Sequence, residues 1–75
     1  MVRLKDSVLK SISETSKTIS QLCKEFEVEN EFRMMRIIAE LQYENKVVLE
    51  GFDKIYREDF GVIYLAKYRR NYNHE

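Results

Sequence analysis

Arg33 and Arg36 stand three positions apart in a stretch with helical apolar spacing, so both guanidinium groups project from one side of that helix. A guanidinium is a planar fork of donors and can give two parallel hydrogen bonds to the acceptor edge of guanine. Phe32 and Tyr43 flank the pair on the same stripe. There an aromatic ring can meet a thymine methyl group and a phenol can reach a phosphate. The plain structural alternatives are a solvated helix face for the arginines and packing against a neighbouring element or subunit for the two rings.

Other candidates are scattered along the chain. Lys17, Thr18, Ser20 and Gln21 fall at the start of a helix, where backbone N–H groups and the positive end of the dipole can hold a phosphate. Lys54 and Arg57 lie near the tip of an expected hairpin, within reach of a phosphate backbone or minor groove. Asp53, Glu58 and Asp59 beside them dilute that field. Glu25, Glu27, Glu29 and Glu31 gather near the start of the arginine-bearing helix. Carboxylates there favour the helix dipole by about 0.3–1 kcal/mol each, yet they would repel a phosphate.

The elements that must position these groups follow from spacing. Leu4, Val8 and Ile12, with Leu9 beside them, make one apolar face of a first helix over residues 1–13. Ser11, Ser13, Glu14, Thr15 and Ser16 read as a polar connector of low helix propensity. Thr18-Ile19-Ser20-Gln21 is a capping box that opens a second helix, with Ile19, Leu22, Cys23 and Phe26 as its apolar stripe. After a break at Glu27-Val28-Glu29, Met34, Ile38 and Leu41 define the buried side of a third helix. Phe32, Arg33, Arg36, Ala39, Glu40 and Tyr43 fall on its opposite side at about 100° per residue. Asn45, suited to the left-handed residue that closes a helix, precedes the strand-like Lys46-Val47-Val48-Leu49.

Two apolar strands, 47–51 and 62–67, then enclose a more polar stretch. Pairing Val47 with Ala66, Leu49 with Tyr64 and Gly51 with Val62 gathers apolar residues on one face. A tighter turn at Glu58-Asp59-Phe60-Gly61 would set Leu49 opposite Arg70 and spend the core face on charge, so the longer loop is expected. Residues 68–75 mix Arg69 and Arg70 with Tyr68 and Tyr72 and are expected to fray.

This order, three helices and then a hairpin, resembles the winged helix-turn-helix family. Ile38, Leu41, Asn45 and Val47 occupy the places usually taken by two leucines, a glycine and an apolar strand residue. Glu27 stands where the family's turn often carries glycine, and the spacing from Cys23 to Met34 is one residue longer than usual. The resemblance implies an α+β, mainly α fold: a three-helix bundle with a C-terminal β-hairpin wing, in one domain over residues 1–75. It also implies a short strand at Lys17 that pairs with the wing. In function it implies a small stand-alone regulator of the prokaryotic, archaeal or viral type that binds double-stranded DNA. The third helix would enter the major groove with the wing beside it, and self-association as a homodimer is common in such proteins. Helix 1 with Tyr68 and Tyr72 is the surface available for that contact. The rival is a winged helix that binds a protein partner through the aromatic wing residues Phe52, Tyr56 and Phe60.

Composition bounds these readings. Seventy-five residues allow one small core. With 13 basic and 13 acidic residues the formal charge is zero, so any nucleic-acid binding must rest on segregated charge. One cysteine and one histidine provide neither a disulfide nor a self-contained zinc site, and two glycines with no proline build no phosphate loop. Cys23 belongs to a buried stripe and reads as packing, and His74 has no neighbour that would make it catalytic. No enzyme, cofactor or metal site is expected. No apolar run reaches the roughly 20 residues that span a bilayer, and the expected compartment is the cytoplasm.

Overall fold

The capping box at the start of the second helix forms as the sequence specifies. In a computed structural model that describes residues 3–72, Thr18 Oγ1 accepts from the Gln21 N–H at 3.2 Å, and Gln21 Oε1 accepts from the Thr18 N–H at 2.8 Å. The elements run α1 (Leu4–Glu14), β1 (Lys17–Thr18), α2 (Ile19–Glu25), α3 (Glu31–Tyr43), β2 (Val47–Arg57) and β3 (Gly61–Arg70). The result is an α+β domain of three helices and a three-stranded antiparallel sheet in the order β1-β3-β2. The short strand at Lys17 pairs with Tyr68 of β3.

The core is one cluster. Val8 and Ile12 of α1, Leu22 of α2, Met34, Ile38 and Leu41 of α3, and Val47 of β2 are each at most 2% exposed. Burying a side chain of this size contributes about 1.5–3 kcal/mol, so these few residues carry most of the drive to fold. The periodicities that predict them are the ones the helices use. Ser11 departs from expectation, for it lies within α1 and is buried, not in a connector. Its hydroxyl donates to Glu25 at 2.9 Å and accepts from the Lys17 ammonium, which supplies the partners a buried polar group needs.

Both helix–turn junctions depend on a left-handed residue. Asn45 has φ 61°, its N–H donates to Gln42 O at 3.0 Å, and the Lys46 N–H donates to Leu41 O at 2.9 Å. That is the Schellman closure, with Asn in the place glycine usually takes. At the end of α2 the Val28 N–H likewise reaches Cys23 O at 2.9 Å, around Glu27 at φ 54°. Glu27 thus adopts the glycine-like conformation despite its side chain. The chain then enters α3 through Asn30, whose Oδ1 accepts from the Phe32 N–H at 2.9 Å.

The hairpin differs from expectation in register. Arg57 pairs with Gly61 across a three-residue loop, closed by the Phe60 N–H on Arg57 O at 3.3 Å, with Gly61 at φ 74°. This is the tight turn, a form in which glycine supplies the left-handed residue. The expected pairs Val47–Ala66, Leu49–Tyr64 and Gly51–Val62 are replaced by Val47–Arg70, Leu49–Tyr68 and Gly51–Lys67. The three-residue loop is the main reason, and a bulge between Leu49 and Gly51 changes the offset by one further residue. The three-residue loop and the bulge each move the register by one residue, so Leu49 meets Tyr68 in place of Arg70 and the charge conflict that weighed against the tight turn disappears.

The expected fraying from Tyr68 is also corrected. Strand β3 runs through Arg70, and Tyr68 packs against the core. Beyond the strand the Asn71 N–H donates to Lys46 O at 2.8 Å and the Tyr72 hydroxyl to Ser13 O at 2.6 Å. His74 lies outside the described residues.

Glu27 supplies a direct test. A side chain held left-handed costs about 1–2 kcal/mol, partly offset in a glycine variant by about 0.5–1 kcal/mol of added unfolded-state entropy. Glu27→Gly should therefore raise the thermal midpoint by roughly 2–6 °C. A midpoint that falls would mean that Glu27 contributes a contact worth more than its strained backbone costs.

Candidate functional site

The outward stripe of α3 is open as its periodicity predicts. Phe32, Arg33, Arg36, Ala39, Glu40 and Tyr43 are all exposed, Phe32 by 78% and Tyr43 by 89%. Arg33 has no ion-pair partner among the described residues. Arg36 Nε lies 3.9 Å from Glu40 one turn on, a solvated contact of little energy that leaves the guanidinium free to turn elsewhere. Neither arginine is drawn into the interior.

The hairpin stands beside this helix and leaves a groove of about 250 Å³ whose lining includes Glu31 and Met35 of α3 and Tyr64, Ala66 and Tyr68 of β3. On the other face of the hairpin a second groove of about 420 Å³ is lined by Ser20, Lys24, Glu31, Arg57 and neighbouring apolar residues. Ser20 and Glu31 border both. Lys54 and Arg57, grouped by the sequence near one tip, are divided between these faces. Lys54 pairs with Tyr64 and Arg57 with Gly61, and cross-strand partners share a face.

The start of α2 is engaged in the fold itself. Thr18 is 3% exposed, with its hydroxyl and N–H both used in the capping box. The Lys17 ammonium pairs with Glu25 and also donates to Ser11. Thr18 therefore has no surface for a phosphate, and Lys17 offers a charge already balanced. Ser20 remains partly accessible.

The same pairing changes the weight of the acidic cluster. The hydrogen bond from Lys17 holds the Glu25 carboxyl below its ordinary range, assisted by Ser11 and opposed by partial burial. Lys5 does the same for Glu44 at the far end of α3, at 2.6 Å. Glu27, Glu29 and Glu31 stay exposed near the start of α3. Burial pushes the Cys23 thiol up, with the charge of Glu31 adding to it, so it stays protonated and suits the packing role. Among the described residues no three His, Cys, Asp or Glu side chains are placed to hold a metal ion.

Sequence reasoning missed Met35 and Tyr64 as groove residues. Met35 was legible from the helix wheel, whereas Tyr64 needed the hairpin register. The surface expected for self-association is partly consumed, because Tyr68 is taken up by the core and the Tyr72 hydroxyl by Ser13. No helix among the described residues is long and apolar enough to cross a membrane. Comparison with family models, with curated proteins and with solved structures gives no match to this chain.

The two depressed carboxylates predict an acid limb. Both ionise below their unfolded value, so their stabilisation is complete above roughly pH 4.5 and is lost as pH falls through the lower folded values. Thermal melts between pH 6 and pH 3 should show a falling midpoint. The Glu25→Gln, Glu44→Gln double variant should melt lower at pH 6 and change less on acidification; an equally steep limb in the variant would assign it to other carboxylates.

Proposed function

We propose that this chain is a winged helix that binds double-stranded DNA in a sequence-specific manner and regulates transcription. In this reading α3 lies in the major groove and the β2–β3 hairpin is the wing beside it. The observation that carries the reading is the exposed pair Arg33 and Arg36 on the outward stripe of α3, with no partner among the described residues that buries or fixes them. Helix α3 is flanked by the hairpin, so the stripe and the wing can meet one duplex together. Phe32 and Tyr43 supply the apolar and phosphate contacts at its ends, and Lys54 and Arg57 address the flanking backbone from the two faces of the wing.

The zero net charge is compatible with this because affinity depends on the local field, not the total. It does limit nonspecific binding, which rests on phosphate neutralisation. Glu29 and Glu31 near the start of α3 have a use in the same frame. A carboxylate accepts from the cytosine amino group and repels the backbone of a misaligned site, which improves discrimination at the expense of affinity.

A mobility-shift titration against a random duplex pool at low and moderate salt tests the proposal. Selected duplexes should bind at low salt, more weakly at higher salt. Arg33→Ala and Arg36→Ala should each cost about 1–3 kcal/mol and relax preference at one base position. If no duplex binds at low salt, or the double arginine variant binds as well as the parent, the DNA reading fails. The protein-binding alternative through Phe52, Tyr56 and Phe60 then takes its place.

A further inference from the structure

The hairpin carries an aromatic surface of which the duplex reading uses only Lys54. Because Leu49 pairs with Tyr68, Phe52 with Ala66, Lys54 with Tyr64 and Tyr56 with Val62, all these side chains share one face of the hairpin. Phe52, Tyr56 and Tyr64 are 61%, 72% and 63% exposed, and Leu49 and Val62 about half. Tyr64 lies diagonally between Phe52 and Tyr56, at the roughly 7–8 Å spacing of diagonal neighbours, so the rings stand side by side without closing over one another. Three open aromatic rings on one short ribbon are more than an isolated surface residue and mark a contact site.

The charge on this face selects its occupant. Lys54 sits among the rings, Arg70 lies at the base, and none of the face's residues is acidic in a chain with 13 acidic residues. Lys54 has no ion-pair partner among the described residues. On the opposite face Lys67 pairs with Asp53 at 3.3 Å. A second copy laid face to face would set like charges together with no carboxylate to answer them. A ligand with flat apolar rings on an anionic backbone matches both properties. Within the neighbouring groove the carboxylate of Glu31 confines such a ligand to the outer part of the ribbon.

We propose that this face of the hairpin is a stacking platform for single-stranded DNA, with unpaired bases on Phe52, Tyr64 and Tyr56 and Lys54 on the intervening phosphates. The choice of DNA over RNA rests on the duplex reading of α3. The stacking itself does not.

The test uses an unlabelled oligothymidylate of about 15 nucleotides, within the usual site size of such surfaces. With no tryptophan and five tyrosines in the chain, tyrosine emission reports stacking directly. Binding should quench that emission at low salt. Phe52→Leu, Tyr56→Leu and Tyr64→Leu, which keep apolar bulk but remove the ring, should each weaken affinity roughly 5- to 100-fold, read by competition against a labelled strand. Lys54→Gln should flatten the salt dependence by about 0.7 in log–log slope. The Arg33→Ala, Arg36→Ala variant should keep single-strand binding, which separates failure of the platform from failure of the duplex reading. Absence of binding at low salt overturns the proposal, as does affinity unchanged in the folded leucine variants. Tighter binding of the matching RNA, concentration-dependent self-association through the rings, or preference for an acidic peptide would also overturn it.

Discussion

One extra residue in β2 decides what the hairpin presents. Side chains alternate along a strand, so a register shift of a single residue exchanges the faces. The bulge between Leu49 and Gly51 puts Val47 and Leu49 on the same face as Phe52, Lys54 and Tyr56, although the two sets differ in parity along the chain. Val47 can then enter the core while the outer strand carries its rings past the body of the protein. Without the bulge, either Val47 would turn away from Leu41 and Ile38 or the aromatic ribbon would face the other side of the sheet. Core and candidate contact surface are thus coupled through one backbone irregularity.

The same economy holds at the junctions. A small core cannot tolerate loose helix ends, because each unpaired N–H or carbonyl left near it costs more than a typical buried contact returns. The chain closes α2 and α3 with left-handed Glu27 and Asn45, and opens α2 and α3 with Thr18 and Asn30. Side-chain pairs then tie elements distant in sequence: Lys5 to Glu44 across α1 and α3, and Ser11, Lys17 and Glu25 across α1, β1 and α2. Being partly solvated, these pairs fix geometry more than they add stability. Tyr72 on Ser13 performs a similar task at the chain's end.

What could be read from the sequence follows from the range of each determinant. The capping box, the left-handed Asn45, the buried Met34, Ile38 and Leu41 and the open stripe of α3 depend on neighbours within a turn or two, and all were legible. The tight turn was considered and set aside because a regular ladder would have opposed Leu49 and Arg70. Nothing in Leu49-Glu50-Gly51 announces that the ladder is irregular there; only the competing demands of Val47 and Tyr68 on the core require it. Ser11 was misplaced for a related reason. Its partners, Glu25 and Lys17, lie on other elements, so a serine that looked like a linker is a buried node. The candidate arginines were legible, as were Phe52 and Tyr56 as aromatic wing residues, whereas the place of Tyr64 beside them was not, since it depends on the observed register.

Charge sorting carries the argument from fold to function. In a chain of zero net charge, carboxylates that answer lysines inside the fold subtract acid from the field without subtracting exposed base elsewhere. Glu25 and Glu44 are spent on Lys17 and Lys5, and Asp53 on Lys67. Among the described residues Arg33 on the stripe of α3 and Lys54 on the hairpin have no ion-pair partner. Acid also lies near them, with Glu29 and Glu31 at the start of α3, Glu40 on the stripe itself and Glu58 and Asp59 at the hairpin loop, so an anionic ligand would meet a mixed surface. For the proposed ligands, attraction at Arg33 and Lys54 and repulsion at these carboxylates would together set an orientation as well as an affinity. Pairing of Glu25, Glu44 and Asp53 with lysines, beside the unpaired Arg33 and Lys54 among the described residues, is what the proposed contacts of α3 and the hairpin have in common.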